Sequence, residues 1–181
     1  FHIRDNCLDP ASSAAELLTN QLAPDTPQLL LCAGGSSLQI LDNITDEIRL
    51  RNTTVTVLDE RFTKSKQDRN FFQLKQTRLF QQDQGQSIDS IEPLPTMAQS
   101  PQKAGDVFAN KIMAWQENNP DGRIVATIGI GEDGHIAGMI PAKADVFQKR
   151  IDVNQPAVGY ADSEINNKFT KRITTTPHFF R

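Results

Sequence analysis

Long apolar runs are missing from this sequence. No stretch approaches the ~20 residues that a membrane-spanning helix needs, and no apolar signal-peptide core opens the chain. Cysteine is scarce: Cys7 and Cys32 are the only two, too few for a disulfide framework. Cys32 stands inside an apolar run and reads as a buried thiol, which makes a reducing, cytoplasmic setting the default expectation. Positive charge is not in excess. A net charge of −3 and a pI near 5.6 argue against a general nucleic-acid binder, yet leave room for a small anionic substrate held by a local cation. Histidine is rare, three in the whole chain, and none stands in an H-E-x-x-H or Cys–His pattern, so no metal site is expected. There is no G-x-S-x-G nucleophile elbow.

The 181 residues, 38% hydrophobic and 23% charged, with a mean hydropathy of −0.45, suit one soluble domain with a sizeable core. Phe1 opens the chain in place of methionine, so the natural start is expected upstream. Ser12 or Ser13 is expected to cap a first helix, with Glu16 in its first turn and Leu17, Leu18 and Leu22 on one face. The run 29–33 reads as a strand buried on both faces. Gly34 and Gly35 then turn the chain, and Ser36 or Ser37 caps a helix reaching Ile48. A second strand over 53–58 ends in Asp59, Glu60 and Arg61. A polar loop over 64–68 precedes a helix expected over 70–80, and an irregular stretch runs over 81–95. The longest helix is expected over 99–118, with Ala104, Val107, Phe108, Ile112 and Trp115 on its apolar face. A buried strand over 123–128 and two short strands, over 157–160 and 172–176, complete the pattern. Alternation of strand and helix implies an α/β fold with a mainly parallel sheet covered by helices on both faces.

Three loops could carry chemistry. In Gly34-Gly35-Ser36-Ser37, glycines let the backbone approach a ligand, and helix-start N–H groups and serine hydroxyls suit a phosphate; taken alone, these residues favour an ordinary tight turn with a serine cap. Asp59-Glu60-Arg61 at a strand end could bind sugar hydroxyls and an anion, or form a solvated salt bridge. The third loop follows strand 123–128: Gly129-Ile130-Gly131-Glu132-Asp133-Gly134-His135. It has the G-x-G-x-x-G spacing, and Asp152 lies near the offset of a ribose-binding acid. Pro141 cuts short any following helix, however, and Glu132 and Asp133 would repel a pyrophosphate, so a dinucleotide site is rejected. His135 is either a helix-start histidine bonded to Asp133 or a general base that Asp133 orients. His2 and His178, near the termini, read as bystanders.

Taken together and in this order, Ala33-Gly34-Gly35-Ser36-Ser37, Leu58-Asp59-Glu60-Arg61-Phe62 with Asn70-Phe71, Gly129 to Ala137 with Pro141, and Arg172-Ile173-Thr174-Thr175-Thr176 resemble the 6-phosphogluconolactonase/glucosamine-6-phosphate isomerase family. The resemblance spans nearly the whole chain. It implies a Rossmann-like fold acting on 6-phosphorylated sugars without a cofactor. The Asp-Glu-Arg triplet is similar to the lactonase branch. The deaminase branch carries a glutamate where this chain has Ile140, while the Gly-His-Ile-Ala wording is closer to the deaminases. Arg69-Asn70 replaces the family's Ser-Asn, and Gly138 to Pro141 replaces the lactonases' Ser-Leu-Phe-Pro. The family's final strand and helix are not found after Arg181, so the domain over 1–181 is expected to be C-terminally incomplete.

The resemblance therefore implies hydrolysis of 6-phospho-D-glucono-1,5-lactone to 6-phosphogluconate, a step of the oxidative pentose phosphate pathway. His135 would be the base, Asp133 its orienting partner, and Arg61 or the loop amides over 131–135 the oxyanion donors. Gly34, Gly35, Ser36, Ser37, Asp59, Glu60, Gly134 and Arg172 would bind substrate, with Gly35, Ser36, Ser37 and Arg172 cradling phosphate. The partner expected is a small phosphorylated sugar lactone, with no nucleic acid and no membrane. Glucosamine-6-phosphate deamination, with Asp59 as base, and a catalytically silent phosphosugar-binding domain are the competing readings.

Overall fold

The computed structural model describes residues 8–44, 50–81, 88–151, 153–165 and 167–180. His2, Cys7, Ile48, Asp152, Arg181 and all but the first residue of the 81–86 run lie outside the described residues. Four parallel strands form the main sheet in the order β4 (Asp89–Ser90), β2 (Thr53–Val57), β1 (Gln28–Cys32), β5 (Arg123–Ala126). Gln28 pairs with Thr53 on one side and Arg123 on the other. Strand β1 is buried along its whole length, and its side chains divide between two cores. Leu30 and Cys32 join Leu18, Leu41, Val55, Val57 and Leu74 on one face. Leu29, Leu31 and Ala33 join Phe108, Ile112 and Ile173 on the other. That period of two is what a doubly covered parallel strand requires. Cys32 is a free thiol, and burial pushes its pKa up to about 12.

The first core lies under α1 (Pro10–Gln21), α2 (Gln39–Asp42), α3 (Asn70–Lys75) and α4 (Arg78–Gln81). Asp9, not Ser12 or Ser13, caps α1: its carboxylate accepts the Ser12 N–H at 3.1 Å. Pro10 fixes this start, because the first helical position needs no N–H. Leu17 is exposed, and Ala15, Leu18 and Leu22 face inward. Neither Ser36 nor Ser37 caps a helix; both lie inside a 3₁₀ turn over Gly35–Leu38 that leads into the short α2. The helix expected over 70–80 is broken at Thr77, where the Arg78 N–H donates to Asp42 Oδ1 at 2.7 Å.

The second core lies under α5 (Pro101–Asn118), capped by Ser100 at the Lys103 N–H. Val107 is exposed, contrary to expectation, and Gly105 and Ala109 take its place. A Cβ on Gly105 would stand 2.0 Å from the Gly159 nitrogen. This close approach sets which face of the helix turns inward.

A second sheet was not foreseen. Strand β3 (Asp59–Arg61), β7 (Lys171–Thr175) and β6 (Ala157–Ala161) form an antiparallel sheet in that order. Asp59-Glu60-Arg61 is thus not the end of β2 but the edge of this sheet, with Asp59 opposite Thr174 and Arg61 opposite Arg172. Leu58 is the pivot: its N–H donates to Cys32 O at 2.9 Å, and its carbonyl accepts the Thr175 N–H at 2.9 Å.

Strand β5 is shorter than expected and is not buried. It forms the outer edge of the main sheet, leaving Ile124 40%, Ile128 52% and Ile130 76% exposed. Helix α6 (Ala144–Ile151) follows Pro141 and carries no signal the sequence reading used.

Candidate active site

Parallel strands aim their carboxyl ends at one side of a sheet, and ligand sites form there. The turn after β1, the segment after β2 and the loop after β5 all reach that side. Together with Asn70 and Arg172 they enclose a cavity of about 280 Å³, room for one small metabolite. Its wall includes Gly34, Gly35, Ser36, Ser37, Asp59, Arg61, Asn70, Gly131, His135, Ala137 and Arg172. Eight of the eleven expected site residues are therefore close together. Glu60, Asp133 and Gly134 are not in the wall.

Asp59 is 5% exposed and Arg172 4%. Their side chains pair, with Arg172 Nη1 donating to Asp59 Oδ2 at 3.1 Å. Burial pushes the Asp59 pKa up, and the Arg172 and Arg61 charges pull it back. Arg172 also donates from Nε to Phe169 O at 3.2 Å and from Nη2 to Asn167 Oδ1 at 3.1 Å. Three of its five N–H groups are thus engaged within the protein, and two remain. Arg61 is less committed. Its Nη1 donates to Asp68 O at 3.0 Å, its Nε has no hydrogen-bond partner, and its guanidinium stands 5.1 Å from the Phe169 ring centre.

Asn70 was missed as a site residue; the sequence offered it only as part of a family pattern. It is 1% exposed. Its Nδ2 donates to Asp59 O at 2.9 Å and to Asp59 Oδ1 at 3.2 Å. It also explains Gly34, whose Cβ would stand 2.3 Å from Asn70 Oδ1. Only a residue without a side chain lets the turn after β1 close over that amide.

Glu60 faces inward. Its carboxylate accepts the backbone N–H groups of Arg61 and Asn70 at 2.7 Å and of Phe71 at 2.8 Å, so it tethers the start of α3 to β3. Burial nevertheless pushes its pKa up to about 7, against the pull of those three N–H groups.

The loop after β5 is a closed turn, and no helix starts at His135. Gly131 N donates to His135 O at 2.9 Å, Gly134 N to Gly131 O at 2.9 Å, and Ile130 bridges Ile136. His135 Nδ1 lies 2.5 Å from Asp133 Oδ1, which also accepts the His135 N–H at 3.2 Å. This contact holds the Asp133 pKa below its ordinary value. A Cβ on Gly131 would fall 2.2 Å from His135 Nδ1, so glycine there lets the ring lie along the backbone. Gly134 has φ +82° and serves the turn. With Nδ1 on Asp133, Nε2 is the ring nitrogen left for chemistry.

A sequence profile of the glucosamine-6-phosphate isomerases/6-phosphogluconolactonase family matches residues 8–181. The chain belongs to this family. No curated protein sequence matches it, but solved structures do. A 6-phosphogluconolactonase from Shewanella baltica aligns at TM-score 0.67 and 21% identity, over 94% of this chain and 70% of its own. One from Thermotoga maritima aligns at 0.67 and 17%, over 97% and 76%. One from Trypanosoma brucei aligns at 0.64 and 17%, over 93% and 73%. These likenesses show the Rossmann-like fold that the sequence led us to expect for a glucosamine-6-phosphate isomerase/6-phosphogluconolactonase family member. Ile140, where the deaminase branch would carry its glutamate, is buried and outside the cavity wall.

Proposed function

We propose that this chain hydrolyses 6-phospho-D-glucono-1,5-lactone to 6-phosphogluconate, the lactone-opening step of the oxidative pentose phosphate pathway. The observation that carries this reading is a histidine–aspartate pair opening into a cavity that two arginines and a Gly-Gly-Ser-Ser turn also line. His135 Nε2 takes a proton from water as the water oxygen adds to the lactone carbonyl carbon. Asp133 fixes the tautomer and stabilises the imidazolium. The bond from that carbon to the ring oxygen then breaks, and the ring oxygen leaves with the proton from Nε2. Charge developing on the carbonyl oxygen needs a donor. The amides of Gly131, Gly134 and His135 are engaged within the loop, which favours Arg61, a cavity-wall residue whose guanidinium is tied to the protein through Nη1, on Asp68 O. The phosphate is assigned to the turn over 34–37, where Gly35 adopts φ +66°, and to the free edge of Arg172. Asp59 is left to meet a sugar hydroxyl. Glu60 acts by holding α3, away from substrate.

The test compares lactones with and without the 6-phosphate. Two charge-assisted contacts of about 1.5–3 kcal/mol each should favour the phosphorylated substrate by roughly 10²-fold or more in kcat/KM. Equal values would remove the phosphate assignment. Glucosamine 6-phosphate should release no ammonia, since Ile140 cannot relay a proton. Ammonia release would move the chain to the isomerase branch. Binding of 6-phosphogluconate with no turnover of the lactone would identify a silent phosphosugar-binding domain.

A further inference from the structure

Ala137 has φ +53°, a left-handed backbone that a residue with a Cβ adopts only when its surroundings force it. It lies two residues beyond His135 and just before Gly138. A backbone turn closes around it, Met139 N donating to Ile136 O at 2.9 Å and Ile140 N to Gly138 O at 3.1 Å, and side chains of the second sheet anchor that turn. Gly138 N donates to Thr174 Oγ1 at 3.0 Å, and Tyr160 Oη donates to Gly138 O at 2.6 Å, both bonds buried. Arg150 Nη2 donates to Ile140 O at 2.8 Å, while its guanidinium lies 4.7 Å from the Tyr160 ring centre and pairs with Asp162. The fit is tight: a Cβ on Gly138 would stand 2.8 Å from Thr174 Cβ and 3.1 Å from Asp59 Cβ. Neither Tyr160 nor Thr174 lines the cavity.

We infer that Tyr160 and Thr174 are positioning residues for His135: by clamping both polar groups of Gly138 they hold the strained Ala137 backbone against the Asp59 strand and so fix where the imidazole stands. The placement ties an exposed loop on an edge strand to the second sheet. The loop's own backbone bonds close the turn over 130–136 and a second, tight turn over 136–140. Beyond Ile136, the anchoring side chains all come from β6, β7 and α6. Burial also pushes the Tyr160 pKa up, so its hydroxyl stays a donor.

The inference rests on His135 being the base of the proposed hydrolysis, so its test has two readouts. Tyr160→Phe keeps the ring beneath Arg150 and removes only the hydroxyl. Thr174→Val removes the other hydroxyl at constant shape, and Thr174→Ser restores it. With phosphogluconolactone, Tyr160→Phe and Thr174→Val should each lower kcat by about 10–100-fold, as misplacement of a reacting group does, with KM unchanged. Thr174→Ser should recover most of the loss. Independently of activity, amide exchange at Gly131, whose N–H closes the turn on His135, should accelerate in both variants while β1 amides keep their wild-type rates. If the wild-type protein does not hydrolyse the lactone, the proposed function fails and the exchange at Gly131 still decides the clamp. Unchanged Gly131 exchange, a rise shared equally with β1, or accelerated exchange with wild-type kcat would each overturn the inference.

Discussion

Asp59, Asn70 and Arg172 are 5%, 1% and 4% exposed, whereas the side chains of His135 and Asp133 are 31% and 53% exposed. One wall of the cavity is built from buried polar groups and the other from an open loop. In the buried wall the contacts that join its three residues to one another cross the chain, 11 residues for Asn70–Asp59 and 113 for Arg172–Asp59. A buried polar group without a partner is costly; these bonds hold the three side chains together, and Asn70 Oδ1 is left buried without a partner. In the open wall His135 bonds an aspartate only two residues away, Asp133, and water solvates what the turn leaves free. Damage to the first wall should therefore appear as lost stability and binding. Damage to the second should appear as lost turnover alone.

The largest effect is expected where that contrast is sharpest. His135→Ala should lower kcat by ~10²–10⁴-fold, the usual worth of a general base, with no change in the thermal midpoint. Asp133→Asn should cost less, because the amide keeps a hydrogen bond to Nδ1 and loses only the charge. A drop in Tm comparable with that of a core variant would show that the loop is structural after all. Next, Arg172→Met leaves the Asp59 carboxylate buried without its cation. Breaking such a pair costs about 3–5 kcal/mol, so chemical denaturation should show that loss, together with a raised KM for the phospholactone. A stable Arg172→Met protein with only kcat reduced would reverse the division of labour between the two walls.

The smallest and most specific test uses Glu60. Its pKa in the folded protein, about 7, lies above the ordinary 4.5. The folded state therefore binds this proton more tightly than the unfolded chain. The stability it contributes is fully present below about pH 4.5 and is lost as pH rises through about 7, an amount on the order of 3 kcal/mol. Glu60→Gln cannot titrate. The stability of the wild-type protein relative to this variant should decline by that amount across the same window, measured by denaturant unfolding at fixed ionic strength. A constant difference from pH 4.5 to 7.5 would mean that the three N–H groups outweigh burial and keep Glu60 ionised throughout.

The open wall was legible in the sequence because its chemistry is local. Gly129 to His135 carries its glycines, its acid and its base in one stretch, and their spacing alone brings Asp133 and His135 together. The buried wall was legible only in part. Asp59, Arg61 and Arg172 could be named from the family pattern, but not that Arg172 binds Asp59 or that Glu60 turns inward. Asn70 gave no local signal, since a buried asparagine at a helix start looks like an exposed one until its partners are placed.

The sequence by itself determined the parallel order of β1 and β2, the division of β1 between two cores, and the turns that end these strands, because periodicity and glycine act over a few residues. Tertiary structure alone decided the antiparallel second sheet, the exposure of Ile124 and Val107, and the clamp of Tyr160 and Thr174 on Gly138. Those depend on which segments meet along the chain, across 22 residues for Tyr160 and Gly138 and 113 for Arg172 and Asp59, where a contact is set by close approach, such as that of Gly105 to Gly159, and leaves no period to read.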